Sequence, residues 1–141
     1  KISAYPPIVK ANVINSSFSL GKLNEAVHFK AIKAKHGKTS SVIYIFEHTA
    51  YVSDCDDLSI VKIKELQNLK YLILDCLRFK KHASHFNLKE SLYVHHCLNP
   101  KKTILTNLHY DLDYDVLLRK LPKNVLPAYD GLSLNLQNVK K

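Results

Sequence analysis

Apolar and polar residues alternate over the first third of the chain, which is the pattern of strands that bury one face. The alternation covers residues 18–20 and 26–34, and Gly21, Lys22 and Asn24 lie between the two runs. It predicts a hairpin whose second strand ends at His36-Gly37. Residues 41–47 and 50–53 are rich in β-branched and aromatic side chains, so we predict two more strands there. The stretch that contains Pro6 and Pro7 is expected to be an extended arm or loop.

After residue 57 the pattern changes to one in which helices and strands take turns. Apolar positions at Ile60, Ile63 and Leu66 predict an amphipathic helix over residues 58–69, with Asp57 or Ser59 as its cap. Residues 71–76 form a nearly continuous apolar run, as expected of a strand that is buried on both faces.

The rest of the chain continues this alternation. Asn87 and Glu90 form a capping-box pattern, which predicts a helix from Asn87 to about Leu98 that Pro100 closes. We predict a buried strand at residues 103–106, a short helix at 113–121 and a last edge strand at 132–136. Alternating strands and helices indicate a sheet with helices packed on one or both faces.

Composition limits the class of protein. The chain has 141 residues, of which 46% are hydrophobic, so one compact domain is expected. No apolar run approaches the roughly 20 residues that cross a bilayer, so no membrane segment is predicted. The three cysteines, Cys55, Cys76 and Cys97, match neither a disulfide framework nor a metal knuckle. A reducing, cytoplasmic location follows as the simplest expectation.

The formal net charge of +9 would attract nucleic acid, a membrane surface or a phosphorylated small molecule alike. Its lysines are scattered in pairs, and no aromatic residues alternate with them as in a single-strand binding platform. We therefore interpret them as a solvated surface, and nucleic acid is not the expected partner.

Several polar residues follow the predicted strands at their carboxyl ends. His36 and Asp54 each follow a strand, and Asp75 lies at the end of another. A fourth strand is followed by Asn107, His109 and Asp111. In layered α/β sheets ligands bind at this edge, because loops and helices open a crevice there. Taken singly, a His after a strand is more often an exposed polar residue than a ligand, and an Asp just before a helix is more often a cap than a ligand.

Taken in chain order, these residues belong to a series of short motifs. The series is KHG, YVSD, LILDCL, HASHF, ILTNLHYDLDY and AYDG, which begin at residues 35, 51, 72, 82, 104 and 128. It resembles the C-terminal half of bacterial metallo-β-lactamase-fold hydrolases related to phosphoribosyl cyclic phosphodiesterase. The resemblance implies an α+β fold, α/β-like in order: the C-terminal half of a four-layer αββα sandwich, with a mixed sheet and helices on one face.

The resemblance also implies a metal site. Proteins of this family hold two divalent metals, zinc or manganese, and a metal-bridging hydroxide attacks phosphorus. An HxHxDH cluster of the N-terminal half supplies most ligands, and this sequence contains no such cluster. We therefore interpret residues 1–141 as a single, partial domain without the N-terminal metal-binding half. The chain also begins at Lys1 and contains no Met, which suggests a truncated N-terminus.

By the same resemblance, His36 and Asp54 are the C-terminal metal ligands, with Asp54 as the bridging carboxylate. Asn107 occupies the place of a third ligand His, and an amide is a poor zinc ligand beside imidazole. His109, two residues on, is an alternative ligand if the strand continues, or a polar residue at the cleft edge.

The HASHF motif supplies the remaining predicted site residues. His85 corresponds to a cleft His that contacts the substrate phosphate or acts as general acid to the leaving oxygen. His82 and Asn107 are predicted substrate contacts, although His82 also reads as a residue that only positions its loop. Asp75 and Asp130 are expected to accept backbone N–H bonds and so fix loops.

Three hypotheses for function remain open from the sequence. The first is a phosphodiesterase-like metallohydrolase that acts on a phosphorylated small molecule and requires the missing N-terminal half. The second is an inactive remnant that serves as an oligomerising or interaction module, because half of a two-sheet sandwich exposes an apolar face. The third is a basic nucleic-acid-binding domain. Tight DNA binding that resists salt would indicate a specific groove, whereas binding that disappears steeply as salt rises would indicate simple charge.

Overall fold

A computed structural model describes residues 9–22 and 25–136. Seven strands and two α-helices follow one another in these residues: β1 Ser17–Leu20, β2 Val27–His36, β3 Thr39–Phe46, β4 Thr49–Val52, β5 Tyr71–Asp75, α1 Leu88–Leu98, β6 Lys102–Thr106, α2 Tyr114–Lys120 and β7 Val125–Pro127. The predicted arm with Pro6 and Pro7, and Asn24 of the first turn, lie outside the described residues.

All seven strands form one mixed sheet in the order of the chain, β1 to β7. Strands β1 to β4 pair antiparallel, and β4 to β7 pair parallel. Because β2 and β4 are both antiparallel to β3, they run in the same direction. The carboxyl ends of β2, β4, β5, β6 and β7 therefore meet at one edge of the sheet, which we call the carboxyl edge.

The helices and the main core lie on one face of this sheet. Val52 pairs with Leu74, and Leu74 pairs with Leu105, so alternate residues of three neighbouring strands point to the same side. Val94 and Leu98 of α1 are fully buried or nearly so and belong to the same hydrophobic cluster as Val52 and Leu74. Leu117 of α2 packs with Leu105 in a second cluster. The prediction of a mixed sheet with helices on one face is confirmed.

The opposite face carries a row of apolar residues in register across six strands. The row runs from β2 to β7 and consists of Ala31, Tyr44, Tyr51, Ile73, Ile104 and Leu126. At its β1 end Phe18 stacks on Phe29, with ring centroids 5.1 Å apart, and Phe29 contacts Phe46 at 4.7 Å. We call this surface the open face, because both described α-helices pack on the other side.

Most of the predicted elements are confirmed to within a few residues. The capping box at the start of α1 is complete: Asn87 Oδ1 accepts from Glu90 N at 2.9 Å, and Glu90 Oε2 accepts from Asn87 N at 3.0 Å. Asp113 is the N-cap of α2, because its side chain accepts from Val116 N.

The predicted helix over residues 58–69 is wrong. Two short 3-10 helices, Leu58–Lys62 and Lys64–Leu66, occupy this stretch, and Ile63 between them has extended backbone. The apolar residues recur at steps of three, which matches the 3.0 residues per turn of a 3-10 helix better than the 3.6 of an α-helix. The predicted cap is correct, since Asp57 accepts from Ser59 N at 2.9 Å.

The last strand is also placed differently from the prediction. Residues 132–136 keep alternating exposure but pair with no strand of the described sheet, whereas Val125–Pro127 forms the edge strand β7. Three residues that end in Pro127 give too short a signal for a strand, and proline is compatible with a sheet edge.

Across the described ranges, no helix is long and apolar enough to span a bilayer.

Candidate metal centre

Three of the predicted site residues converge at the carboxyl edge. His36 is the last residue of β2, Asp54 follows β4 by two residues, and His85 lies in the loop between β5 and α1. One potential ligand atom from each residue lies within 4.8 Å of those of the other two. Among the His, Cys, Asp and Glu side chains of residues 9–22 and 25–136, these three form a group that could hold a cation. The His36 and His85 rings meet edge to face, with centroids 4.6 Å apart.

His36 is held by the loop that carries His85. Its Nδ1 lies 2.7 Å from the carbonyl oxygen of Ser84. Since a carbonyl only accepts, Nδ1 must carry the hydrogen, and Nε2 carries the lone pair. Gly37 permits this close approach: it has φ +60, and a Cβ there would lie 2.9 Å from Ser84 Cβ. The end of β2 and the His85 loop are therefore packed directly against each other.

His85 is oriented in the same way by a buried carboxylate. Its Nδ1 lies 2.8 Å from Asp75 Oδ2, and it also approaches Asp54 Oδ1 at 3.8 Å. The carboxylate of Asp75 accepts the Nδ1 hydrogen, which leaves Nε2 of His85 as the basic nitrogen. A carboxylate behind an imidazole is the arrangement that fixes the tautomer and raises the basicity of metal-binding histidines.

Asp75 is the centre of a hydrogen-bond network that ties three strand ends together. Its side chain is fully buried and accepts from Cys55 N at 3.1 Å, Phe86 N at 3.4 Å and Asn107 Nδ2 at 3.2 Å, in addition to His85. Burial raises the pKa of Asp75, and the hydrogen bonds from Cys55 and His85 oppose that rise. Asp75 accepts from the backbone N–H groups of Cys55 and Phe86, as predicted, and it also accepts from the side chains of His85 and Asn107.

His82 has the opposite tautomer from His36 and His85. Its Nδ1 accepts from the backbone N of Ser84 at 3.3 Å, so Nε2 carries the hydrogen and is a donor. The His82 and His85 rings lie 5.2 Å apart. His82 is therefore a hydrogen-bond donor beside the group formed by His36, Asp54 and His85.

Asn107 and His109 lie at the end of β6 but outside this group. Asn107 has positive φ (62°), and its amide nitrogen donates to Ser53 O and to Asp75 Oδ1. That leaves its side-chain oxygen as an acceptor. His109 contacts Asp111 instead, with Nδ1 and Oδ1 3.1 Å apart, and its side chain is 42% exposed. His109 thus lies outside the group of His36, Asp54 and His85, whereas Asn107 is linked to His85 through Asp75.

Cationic side chains flank the site. Lys80 and Lys81 precede His82, and Lys38 lies two residues after His36; all three are exposed. Arg78 shapes the loop by donating to the carbonyl oxygens of Lys80 and Lys81, at 3.3 and 2.9 Å. Positive charge at this edge favours an anionic ligand near the three side chains.

The donor set fits a divalent cation. Two imidazoles present a free Nε2, and Asp54 presents a carboxylate whose side chain is 42% exposed, so a ligand can reach it. Two histidines and one carboxylate are a donor set that suits zinc and other first-row divalent metals.

The fold and the site together define the class: a layered α and β protein with a histidine and aspartate site at the carboxyl edge of its sheet. Solved structures show which fold this is. A diphosphatase of the PhnP family matches at TM-score 0.72 with 31% identity, over 83% of this chain and 46% of that one. The metallo-β-lactamase-fold protein YhfI from Bacillus subtilis matches at TM-score 0.64 with 18% identity, over 82% and 51%. Human short-form tRNase Z matches at 0.61 with 15% identity, over 87% and 48%.

The chain therefore has the fold of the C-terminal half of a metallo-β-lactamase-fold hydrolase, as the motif series predicted. It spans about half the length of these solved proteins. No protein-family model matches the sequence. A curated octanoyltransferase from Porphyromonas gingivalis is 24% identical over 103 residues, which cover 72% of this chain and 21% of that protein.

The hydrogen-bond network around Asp75 was not predicted from the sequence. The link from Asp75 to His85 and Asn107 depends on where a loop and a neighbouring strand end, which spacing along the chain does not reveal. One signal was present: an acidic residue inside the otherwise apolar run at residues 71–76 is costly to bury unless it has partners.

Proposed function

We propose that the chain forms one side of the active site of a metal-dependent phosphodiester hydrolase. The observation that carries the proposal is the convergence of His36, Asp54 and His85 at the carboxyl edge, with Nδ1 of both imidazoles committed to a protein acceptor. The likeness to a PhnP-family diphosphatase supports a phosphorylated substrate.

In this proposal His36 and Asp54 bind the divalent cation, zinc or manganese. When bound, such a cation polarises a phosphoryl oxygen and lowers the pKa of bound water. His82 donates from Nε2 to a phosphoryl oxygen, because its Nδ1 is occupied by Ser84 N. Asn107 contacts the substrate only as an acceptor, since its amide hydrogens are used within the protein. Lys38 and Lys80 raise the local concentration of a phosphorylated small molecule.

Hydrolysis of bis(p-nitrophenyl) phosphate by purified protein that carries both sides of the site tests this function. We expect turnover that depends on added zinc or manganese and stops with EDTA. His36→Gln and Asp54→Asn should each lower the rate at least about tenfold, whereas His109→Gln, outside the group, should not. Turnover that survives EDTA and both substitutions would refute the proposal.

A second candidate function is an interaction module that pairs through the open face. The observation in its favour is the row of apolar residues in register across β2 to β7, in which Tyr51 is 38% exposed. Apolar patches of this kind mark interaction sites. We propose a second copy of the chain as the occupant, and the oligomeric state in solution tests it.

A further inference from the structure

We infer that His85 is the third ligand of a one-cation site, together with His36 and Asp54. The inference rests on the proposed function, because it presumes that His36 and Asp54 bind a cation. It changes the role of His85 from the substrate contact that the motifs predict to a ligand. It also changes the expected stoichiometry from two cations to one for this chain.

The His85 ring lies beside the other two donors. It makes an edge-to-face contact with His36, and its Nδ1 lies 3.8 Å from Asp54 Oδ1. Ligands lie about 2.0–2.2 Å from a zinc ion, so a pair of them is separated by at most about 4.4 Å. The three donor atoms, within 4.8 Å of one another, need to close by only a small amount to share one ion.

Both histidines are also held in place by a hydrogen bond from Nδ1 to the protein. Metal-binding histidines generally donate their other ring N–H to a carboxylate or a backbone carbonyl. His36 donates to the Ser84 carbonyl and His85 to the Asp75 carboxylate, which is fully buried and so holds a fixed position.

The other candidate ligands at this edge fit less well. His109 is not among the residues whose ligand atoms converge, and Asn107 offers only an amide oxygen, which is a poor zinc ligand beside imidazole. His82 presents an N–H and not a lone pair. Among the described residues that the sequence marked as candidate ligands or contacts, His85 is therefore the one that can complete a three-donor set with His36 and Asp54.

Cation binding to the purified chain tests the inference without relying on turnover. Titration of zinc, followed by the ¹⁵N resonances of the imidazoles, should give one ion per chain and shift Nε2 of both His36 and His85. Magnesium, which prefers oxygen ligands, serves as the control ion and should not shift them. Because this measurement uses the unaltered chain, it does not depend on whether any variant folds.

Variants then separate the roles. His85→Gln should weaken zinc binding at least about hundredfold, and Asp75→Asn about ten- to hundredfold, because it removes the orienting carboxylate. His109→Gln is the matched control and should bind zinc as the parent does. If His85→Gln retains full affinity while His36→Gln loses it, or if two ions bind, His85 is not the third ligand and the proposed function still stands. If the parent binds no zinc at all, both proposals fail.

Discussion

Single side chains decide what this site can bind, and Asn107 shows this best. It stands where the resemblance places a ligand His, yet the structure uses its amide to connect the ends of β4, β5 and β6 through Ser53 and Asp75. Its positive φ suits asparagine, which visits the left-handed region more readily than most residues. A residue that departs from the family pattern thus has a structural role of its own here.

Asn107→His should restore a nitrogen donor at this position. Histidine also tolerates positive φ, and an imidazole is a better zinc ligand than an amide. We expect zinc affinity to rise by about tenfold or a second ion to bind, as measured by calorimetric titration. Asn107→Gly removes the same hydrogen bonds without adding a ligand and should show no gain. A histidine variant that binds zinc no better than the glycine variant would contradict this expectation.

The cysteines give a second prediction at the scale of residues. Burial raises the pKa of Cys55 and of Cys76 to about 12, while Cys97 is exposed. A thiol whose folded pKa is raised favours folding below its ordinary pKa of 9.0, and this contribution is lost as the pH rises towards 12.

A thiol-specific disulfide reagent at pH 8 should therefore modify Cys97 in the native protein and all three cysteines after denaturation. Mass spectrometry of the modified peptides identifies the sites. Rapid modification of Cys55 or Cys76 in the native state would show that the strand ends near Asp75 open readily.

At the scale of elements, the sequence predicted what local periodicity and capping control. The capping box of α1 and the buried strand β5 were predictable, because their signals lie within a few residues of one another. The two 3-10 helices within residues 58–69 were not predictable, because apolar residues at steps of three also fit one face of a short α-helix. The cluster of His36, Asp54 and His85 was predicted from motifs, but the loop contact between Gly37 and Ser84 that brings them together depends on tertiary packing.

The junction of α1 and β6 provides a pH-dependent prediction. His95 Nδ1 lies 2.8 Å from Thr103 Oγ1, and burial lowers the pKa of His95 below 6.5, with the charge of His96 as a smaller cause. A histidine with a lowered folded pKa supports folding in its neutral form. This contribution is complete above pH 6.5 and is lost as the pH falls from there through the lowered pKa of folded His95.

Urea unfolding at pH 7.5 and 5.5 measures the effect. The parent should lose more unfolding free energy between these pH values than His95→Gln, because the substitution removes the titrating group. His96→Gln, which changes an exposed neighbour, should keep nearly the full pH dependence. Equal losses in the parent and in His95→Gln would contradict the assignment.

At the scale of the whole molecule, the sheet has two unequal faces. One is covered by α1, α2 and the 3-10 helices, and the other carries the apolar row that includes Tyr44, Tyr51 and Ile73. In this row Tyr51 is 38% exposed whereas Ile104 is buried, so the described residues themselves cover part of the face.

Sedimentation equilibrium tests the open face as a site of self-association. Tyr51→Lys places a charge in the apolar row and should shift a concentration-dependent dimer towards monomer. Tyr110→Lys is the matched control, because Tyr110 is 90% exposed and contacts His109 at the carboxyl edge. A parent chain that is monomeric at every concentration would rule out a second copy as the occupant.

The proposed metal centre requires that His36 and Asp54 bind a divalent cation. The most direct measurement is equilibrium dialysis of the purified protein against zinc and manganese, with bound metal counted by elemental mass spectrometry. We predict stoichiometric binding that Asp54→Asn abolishes and that Asp111→Asn, an acidic residue at the same edge but outside the group, leaves unchanged. Binding that is absent from the parent, or that Asp54→Asn retains in full, would contradict a metal centre at this edge.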